Sequence, residues 1–327
     1  MTTESGCMTS DFLLDPELKT LLSFFPPLNL DRDTLPMVRS MIGQGRRVAP
    51  ESESSQVTST VVDIPGPPNS PPVRVLCYRP AGAASMLPAL LHMHGGGYVL
   101  GTAASSEASN RALSAELDCA VFSVDYRLAP ETPYPGPLED CYVALAWLHA
   151  HAGELRIDAS RIGVKGESAG AGLAAALALL ARDRGKLPIA FQHLIYPMID
   201  DRTGAAGSTT ENAFVGTFIW TAEQNRFGWS CLLGTPPGGR DVSPYAAPAR
   251  ATELAGLPPA FISVGALDLF LEEDLAYAQR LARAGVPVEL HVYPGAFHGF
   301  DMPPHTSRVA QSAVRNSREA LRRSLHG

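Results

Sequence analysis

Residues 162–185, IGVKGESAGAGLAAALALLARDRG, change character around one serine. Ile162 to Lys165 read as the end of a β-strand, and from Ala169 onward Ala and Leu favour helix. Between them Ser168 is centred in Gly-Glu-Ser-Ala-Gly, with no side-chain bulk two residues to either side. So abrupt a change needs a tight turn, and Gly166 and Gly170 leave room for neighbouring backbone to come close. An ordinary turn with a serine N-cap satisfies this pattern. A nucleophile elbow satisfies it too, and would present Oγ at the top of a sheet, at a helix N-terminus that favours negative charge. The elbow reading requires a base, an acid and an oxyanion hole elsewhere in the chain.

The rest of the chain repeats the strand-then-helix theme. Strand patterns lie at 57–64, 72–78, 88–94, 119–126, 189–197, 260–265 and 286–293. Helical patterns lie in SNRALSAEL, LEDCYVALAWLHAH, EEDLAYAQRLARAG and the C-terminal stretch. Such alternation argues for a largely parallel sheet covered on both faces. It stops over 200–250, where Gly, Pro and Thr gather with Phe214, Phe218, Trp220, Phe227 and Trp229. That stretch reads as an insertion rather than a second globular domain. Residues 1–45 read as helical pieces with apolar clusters.

The base candidate is His298 in YPGAFHGF, just after the last strand pattern. The acid candidate is Asp268 in FISVGALDLFLEED, following strand 260–265. Glu272, Glu273 and Asp274 suit the start of the next helix, where acidic residues meet the N-terminal dipole. Asp200 and Asp201 are weaker alternatives for the acid. The chain order Ser168, Asp268, His298 is that of a Ser-Asp-His triad on an α/β sheet. The hole candidates are Gly95, Gly96 and Gly97 in HMHGGGYVLG, together with the N–H of Ala169. His92 and His94 share a strand face but lack a third ligand at zinc spacing, so no metal is expected. His94 is expected to brace the glycine loop. No dinucleotide fingerprint or P-loop is present, so no cofactor is expected.

Composition narrows the partners. The net charge of −7 comes without any Lys/Arg run, which argues against nucleic acid. The five cysteines, Cys7, Cys77, Cys119, Cys141 and Cys231, are scattered and odd in number, which argues against a disulfide framework. The N-terminus lacks the basic and apolar regions of a signal peptide, and the apolar run 169–181 is too short to span a bilayer. The expectation is a cytoplasmic protein with no membrane insertion.

Together HGGGYVLG (94–101), DYRLAPETPYPGPLED (125–140), GESAG (166–170), DLFLEED (268–274) and YPGAFHGF (293–300) resemble the hormone-sensitive-lipase family of α/β-hydrolases, in its bacterial carboxylesterase form. The resemblance spans roughly residues 72–310. It implies an α/β-hydrolase fold, with a mostly parallel eight-stranded sheet flanked by helices and a helical cap. It divides the chain into 1–45 (cap), 46–199 (core), 200–235 (cap insertion) and 236–327 (core). It implies a cofactor-free carboxylesterase acting on short-chain acyl esters through Ser168, Asp268 and His298, with Gly95, Gly96, Gly97 and Ala169 at the oxyanion. The partner is then a small-molecule ester. Arg127 and Glu131 are expected to fix the DYRLAPE loop by ion pairing. The family's Asp-Pro-Leu reads Asp268-Leu269-Phe270 here, and Ala171 stands where a glycine is common. An amidase with the same triad, or a receptor on the same fold, are the competing readings; retention of His298 argues against the receptor. Strand 286–293, if it lies at a sheet edge, is compatible with a homodimer.

Overall fold

The computed structural model describes residues 10–25, 29–44, 56–83, 85–185, 187–205 and 212–327. Cys7, the ends of the expected cap segment 1–45 and residues 206–211 of the insertion lie outside the described residues. The strands are β1 (Val57–Ile64), β2 (Val73–Pro80), β3 (Leu87–Met93), β4 (Ala120–Asp125), β5 (Ile157–Glu167), β6 (Gln192–Ile195), β7 (Ala260–Gly265) and β8 (Val288–Tyr293). The helices are α1 (Lys19–Leu22), α2 (Leu35–Gln44), α3 (Glu107–Leu117), α4 (Gly136–Ala150), α5 (Ala169–Arg184), α6 (Ala222–Leu233), α7 (Leu271–Arg283) and α8 (Arg308–His326).

The strands form one eight-stranded sheet in the order β1-β2-β4-β3-β5-β6-β7-β8. β1 pairs antiparallel with β2, and β2 with β4; every later pairing is parallel. The mostly parallel eight-stranded sheet is therefore observed. Central strands covered on both faces read as unbroken apolar runs rather than alternating ones. β3, LPALLHM, is buried at every residue. α5 is buried without interruption from Ala169 to Ala181, which explains its lack of a polar face. α8 is amphipathic instead, with Ala310, Ala313, Ala320, Leu321 and Leu325 inside. Among the described residues no helix is long and apolar enough to cross a membrane.

β6 is shorter than the expected 189–197. Tyr196 leaves the extended region, at φ 37°, and Pro197 has no N–H to continue the ladder. The cut at Tyr196 turns the chain over the end of the sheet.

Parallel pairing places the C-terminal ends of β3, β5, β7 and β8 on one edge, where α/β folds form their crevice. The glycine loop follows β3, Ser168 follows β5, Asp268 lies three residues past β7, and His298 lies five past β8.

Ion pairs hold the DYRLAPE loop, and both partners come from outside the DYRLAPE stretch itself. Arg127 pairs not with Glu131 but with the buried Asp140 of α4, at 2.7 and 2.8 Å. Glu131 pairs with Arg39 of α2 at 2.7 Å. The two side chains serve different elements because the loop lies between α4 and α2. Asp140 has no exposed surface, so removing Arg127 would strand a buried charge. Arg127→Met should cost about 3–5 kcal/mol in urea unfolding. Glu131→Ala, at a pair whose carboxylate is mostly exposed, should cost about 0–1 kcal/mol. Equal losses would show that Asp140 does not depend on Arg127.

Candidate active site

Ser168 sits at φ 56° and ψ −122°, a backbone state that costs a non-glycine residue about 1–3 kcal/mol. Surrounding hydrogen bonds maintain it. Its N–H donates to Ile195 O at 2.9 Å, and its carbonyl accepts from Gly172 N–H at 3.0 Å and Met198 N–H at 3.1 Å. The two flanking glycines are required by contact. A Cβ on Gly166 would lie 2.3 Å from the Gly170 carbonyl, and one on Gly170 would lie 2.1 Å from Met93 O. The elbow is thus the point where α5 packs directly on the backbone leaving β3.

His298 Nε2 lies 2.9 Å from Ser168 Oγ, and His298 Nδ1 lies 2.9 Å from Asp268 Oδ2. Asp268 is fully buried, and its other oxygen accepts from Phe270 N–H at 3.0 Å. A carboxylate facing Nδ1 calls for a proton there, which leaves Nε2 free to accept from the serine hydroxyl. Tyr196 and Phe270 meet the imidazole edge-on, at 4.7 and 5.1 Å between ring centres. The structure therefore brings together the three residues that the sequence order singled out. The alternative acids are engaged elsewhere: Asp200 with Arg202 at 2.7 Å, Asp201 with Arg250 at 2.9 Å. Glu272, Glu273 and Asp274 open α7 as expected. Glu273 Oε1 accepts the N–H groups of Ile199 and Asp200 at 2.7 and 3.1 Å.

The glycine loop faces the serine. The Gly96 carbonyl accepts from Val99 and Leu100 N–H at 3.1 and 2.8 Å. Among the described residues, the N–H groups of Gly95, Gly96 and Gly97 have no protein acceptor. Ala169 begins α5, where a first-turn N–H has no partner within the helix. His94 braces the loop: its Nδ1 donates to Gly95 O at 2.9 Å, and its ring stacks on Tyr126 at 4.3 Å. Tyr126 Oη donates to His94 O at 2.7 Å. His92 is engaged at both ring nitrogens, by Ser123 and by Glu167, each at 2.9 Å.

The aromatics of the insertion divide. Trp220 presses on the glycine loop, such that a Cβ on Gly97 would lie 2.2 Å from its Cη2. Its Nε1 donates to Asn225 at 3.1 Å, and its ring centre lies 6.3 Å from that of His298. Phe218 packs on Phe297 at 5.9 Å. Trp229 instead lies fully buried against Tyr98 at 5.1 Å, because α6 turns that face toward the core. Sequence reasoning missed Tyr196, whose Oη donates to the half-buried Asp301 at 2.9 Å, and the pair of buried Lys165 with half-buried Glu167. The available signal for the pair was two charges within a strand otherwise suited to a core.

Comparison with known proteins agrees with this geometry. A family model described as the alpha/beta hydrolase fold matches residues 90–302. Carboxylesterase NlhH of Mycobacterium tuberculosis is 36% identical over 321 residues, covering 96% of this chain and 97% of that protein. Esterase LipI of the same species is 33% identical, covering 96% of each chain. The solved structure of a bacterial heroin esterase superposes with a TM-score of 0.88 at 42% identity, covering 98% of this chain and all of that one.

The buried bracing histidine makes stability pH-dependent. Burial pushes His94 down to about 4, and pushes His193 in the same direction. A histidine depressed in the folded state contributes stability above its unfolded pKa of about 6.5, and that stability is lost as pH falls toward 4. His94 alone should account for about 3 kcal/mol across that window. The urea midpoint should therefore fall between pH 7 and pH 4.5, and His94→Asn should flatten the slope. A slope unaltered in that variant would remove His94 as the cause.

Proposed function

We propose that this chain, which belongs to the α/β-hydrolase family in its hormone-sensitive-lipase branch and is a carboxylic ester hydrolase, works through Ser168, His298 and Asp268. The continuous contact from Ser168 Oγ through His298 to Asp268, at 2.9 Å for each step, carries this reading. His298 Nε2 takes the hydroxyl proton as Ser168 attacks the ester carbonyl. Asp268 holds the imidazole tautomer and stabilises the imidazolium. The N–H groups of the Gly95–Gly97 loop and of Ala169 receive the tetrahedral oxyanion, each worth about 2.7–4 kcal/mol in the transition state. His298 then protonates the departing alcohol, and the acyl-serine is hydrolysed by water activated at the same nitrogen.

The substrates of this reading are short-chain acyl esters. The described parts of the segments 1–45 and 200–235 serve as a cap over the crevice. Arg39 of α2 donates to Val99 O at 2.8 Å, and Ser10 Oγ donates to Phe214 O at 2.9 Å, which supports one continuous cover. Trp220 beside His298, and Phe218 on the adjacent Phe297, support an apolar pocket of limited depth. The four described cysteines are free and buried, which supports a cytoplasmic setting. β8 ends the sheet, with Leu290 and Val292 partly exposed, which supports a homodimer across that edge.

Ser168→Ala, His298→Ala and Asp268→Asn should stay folded and lose ester turnover by about 10³-fold or more. Double variants should lose little beyond the worse single. Active-site titration with a fluorophosphonate checks this: label on the wild type and none on Ser168→Ala is expected. Ester turnover retained in Ser168→Ala would remove the reading.

Acyl length tests the pocket. Each buried methylene adds about 0.8 kcal/mol while room remains, and overpacking costs about 1–3 kcal/mol. On p-nitrophenyl esters kcat/KM should peak between acetyl and hexanoyl and then fall. A rate still rising at dodecanoyl would mean an open lipid channel.

A further inference from the structure

Glu167 separates Gly166 from the nucleophile, and its side chain turns away from the triad. We propose that Glu167 is a positioning residue, clamped between His92 of β3 and Lys165 of β5, that holds the glycine loop in place against Ser168. The inference rests on the reading of Ser168 and the glycine loop given above.

Both Glu167 oxygens are committed. Oε2 meets His92 Nε2 at 2.9 Å, and Oε1 is bonded to Lys165 Nζ. His92 is itself anchored, with Nδ1 2.9 Å from Ser123 Oγ of β4 and 3.1 Å from Asn110 Nδ2 of α3. Asn110 Nδ2 is a donor, so Nδ1 is the acceptor and Nε2 carries the proton given to Glu167. His92 stands opposite Lys165 in the β3–β5 register, so both point to one sheet face. The network therefore ties three adjacent strands together.

Stability does not account for this arrangement. Lys165 and His92 are buried, and a buried ion pair is often no better than apolar residues of the same volume. Burial raises the Glu167 carboxyl, but Lys165 and then His92 outweigh it and hold it well below the ordinary carboxylate range. What the network does fix is a distance. Two residues beyond His92 the loop begins at His94, and one residue beyond Glu167 stands Ser168. The two segments meet there, since a Cβ on Gly95 would lie 3.0 Å from Glu167 O. Sliding β3 against β5 would move the loop donors off the oxyanion. A misplacement of about 1 Å can cost about 10²-fold in rate. Ester binding under Trp220 and Phe218 does not pass through this contact, so the loss belongs in kcat and not in KM.

The test compares two double variants, Lys165→Met/Glu167→Gln and Lys165→Met/Glu167→Leu. Both remove the two charges and keep similar volume, but only the glutamine can accept from His92. The first should stay within about fivefold of wild-type kcat, and the second should fall about 10²-fold with KM changed less than about twofold. A boronic acid that mimics the tetrahedral state should lose affinity in the second variant by the factor lost in kcat/KM. Equal kcat in the two variants, high or low, overturns the proposal. So does a loss that appears in KM. If the leucine variant does not fold, a 10²-fold loss in the folded glutamine variant still overturns it, and near-wild-type kcat there upholds the bridge. Fluorophosphonate labelling of each variant separates this outcome from a failure of the triad reading, which Ser168→Ala alone decides.

Discussion

The parallel pairing of β3 with β5 is the constraint on which the site depends. It sets the start of the glycine loop beside the elbow, with Met93 opposite Gly166 in the register. The pairing is close enough that α5 touches the carbonyls of Met93 and His94 where Gly170 has no Cβ. A methyl group at that position would force the helix away from the strand. The glycine loop and the start of α5 would then move apart. Gly170 thus acts through van der Waals exclusion, and the two strands supply the frame.

Strain and burial concentrate around this pairing. Ser168 is held at a positive φ by backbone hydrogen bonds from β6 and α5, so the cost is borne by parts of the core with no role in chemistry. Three carboxylates near this edge of the sheet follow the same logic. Asp268 is satisfied by His298 and Phe270 N–H, Asp140 by Arg127, and Glu167 by His92 and Lys165. Each of these carboxylates lies where a loop at the C-terminal edge must keep a single geometry. Buried polar groups that are fully paired trade little stability for a unique arrangement.

The turn at Ser168, the strand ends and the stretches around Asp268 and His298 were legible because each is written in a few consecutive residues. Ser168 between two glycines, and His298 and Asp268 just past apolar strand patterns, need only local reading. β6 was overextended, since its apolar run continues through Tyr196 while its backbone does not. Arg127 and Glu131 are close in sequence and share one loop, yet the partner of Arg127, Asp140, reaches it from α4 thirteen residues on. Trp229 stands in sequence among the aromatics of the insertion, but the helical turn of α6 sends it into the core.

Taken alone, the amino-acid order determined the class of fold, the strand-to-helix turn at Ser168 and the placing of Asp268 and His298 just past strand ends. Hydrophobic periodicity and backbone-permissive glycines are local properties, and they act before distant segments meet. The tertiary structure decided which side chains touch. Ser168 and His298 are 130 residues apart, and Arg39 and Glu131 are 92 apart. Their distances follow from strand register and from the path of loops between strands. The Lys165–Glu167–His92 network shows the same division: two of its charges are neighbours in one strand, but their partner belongs to another. Only the packing of β3 beside β5, at a spacing set by backbone hydrogen bonds, makes the three a single unit.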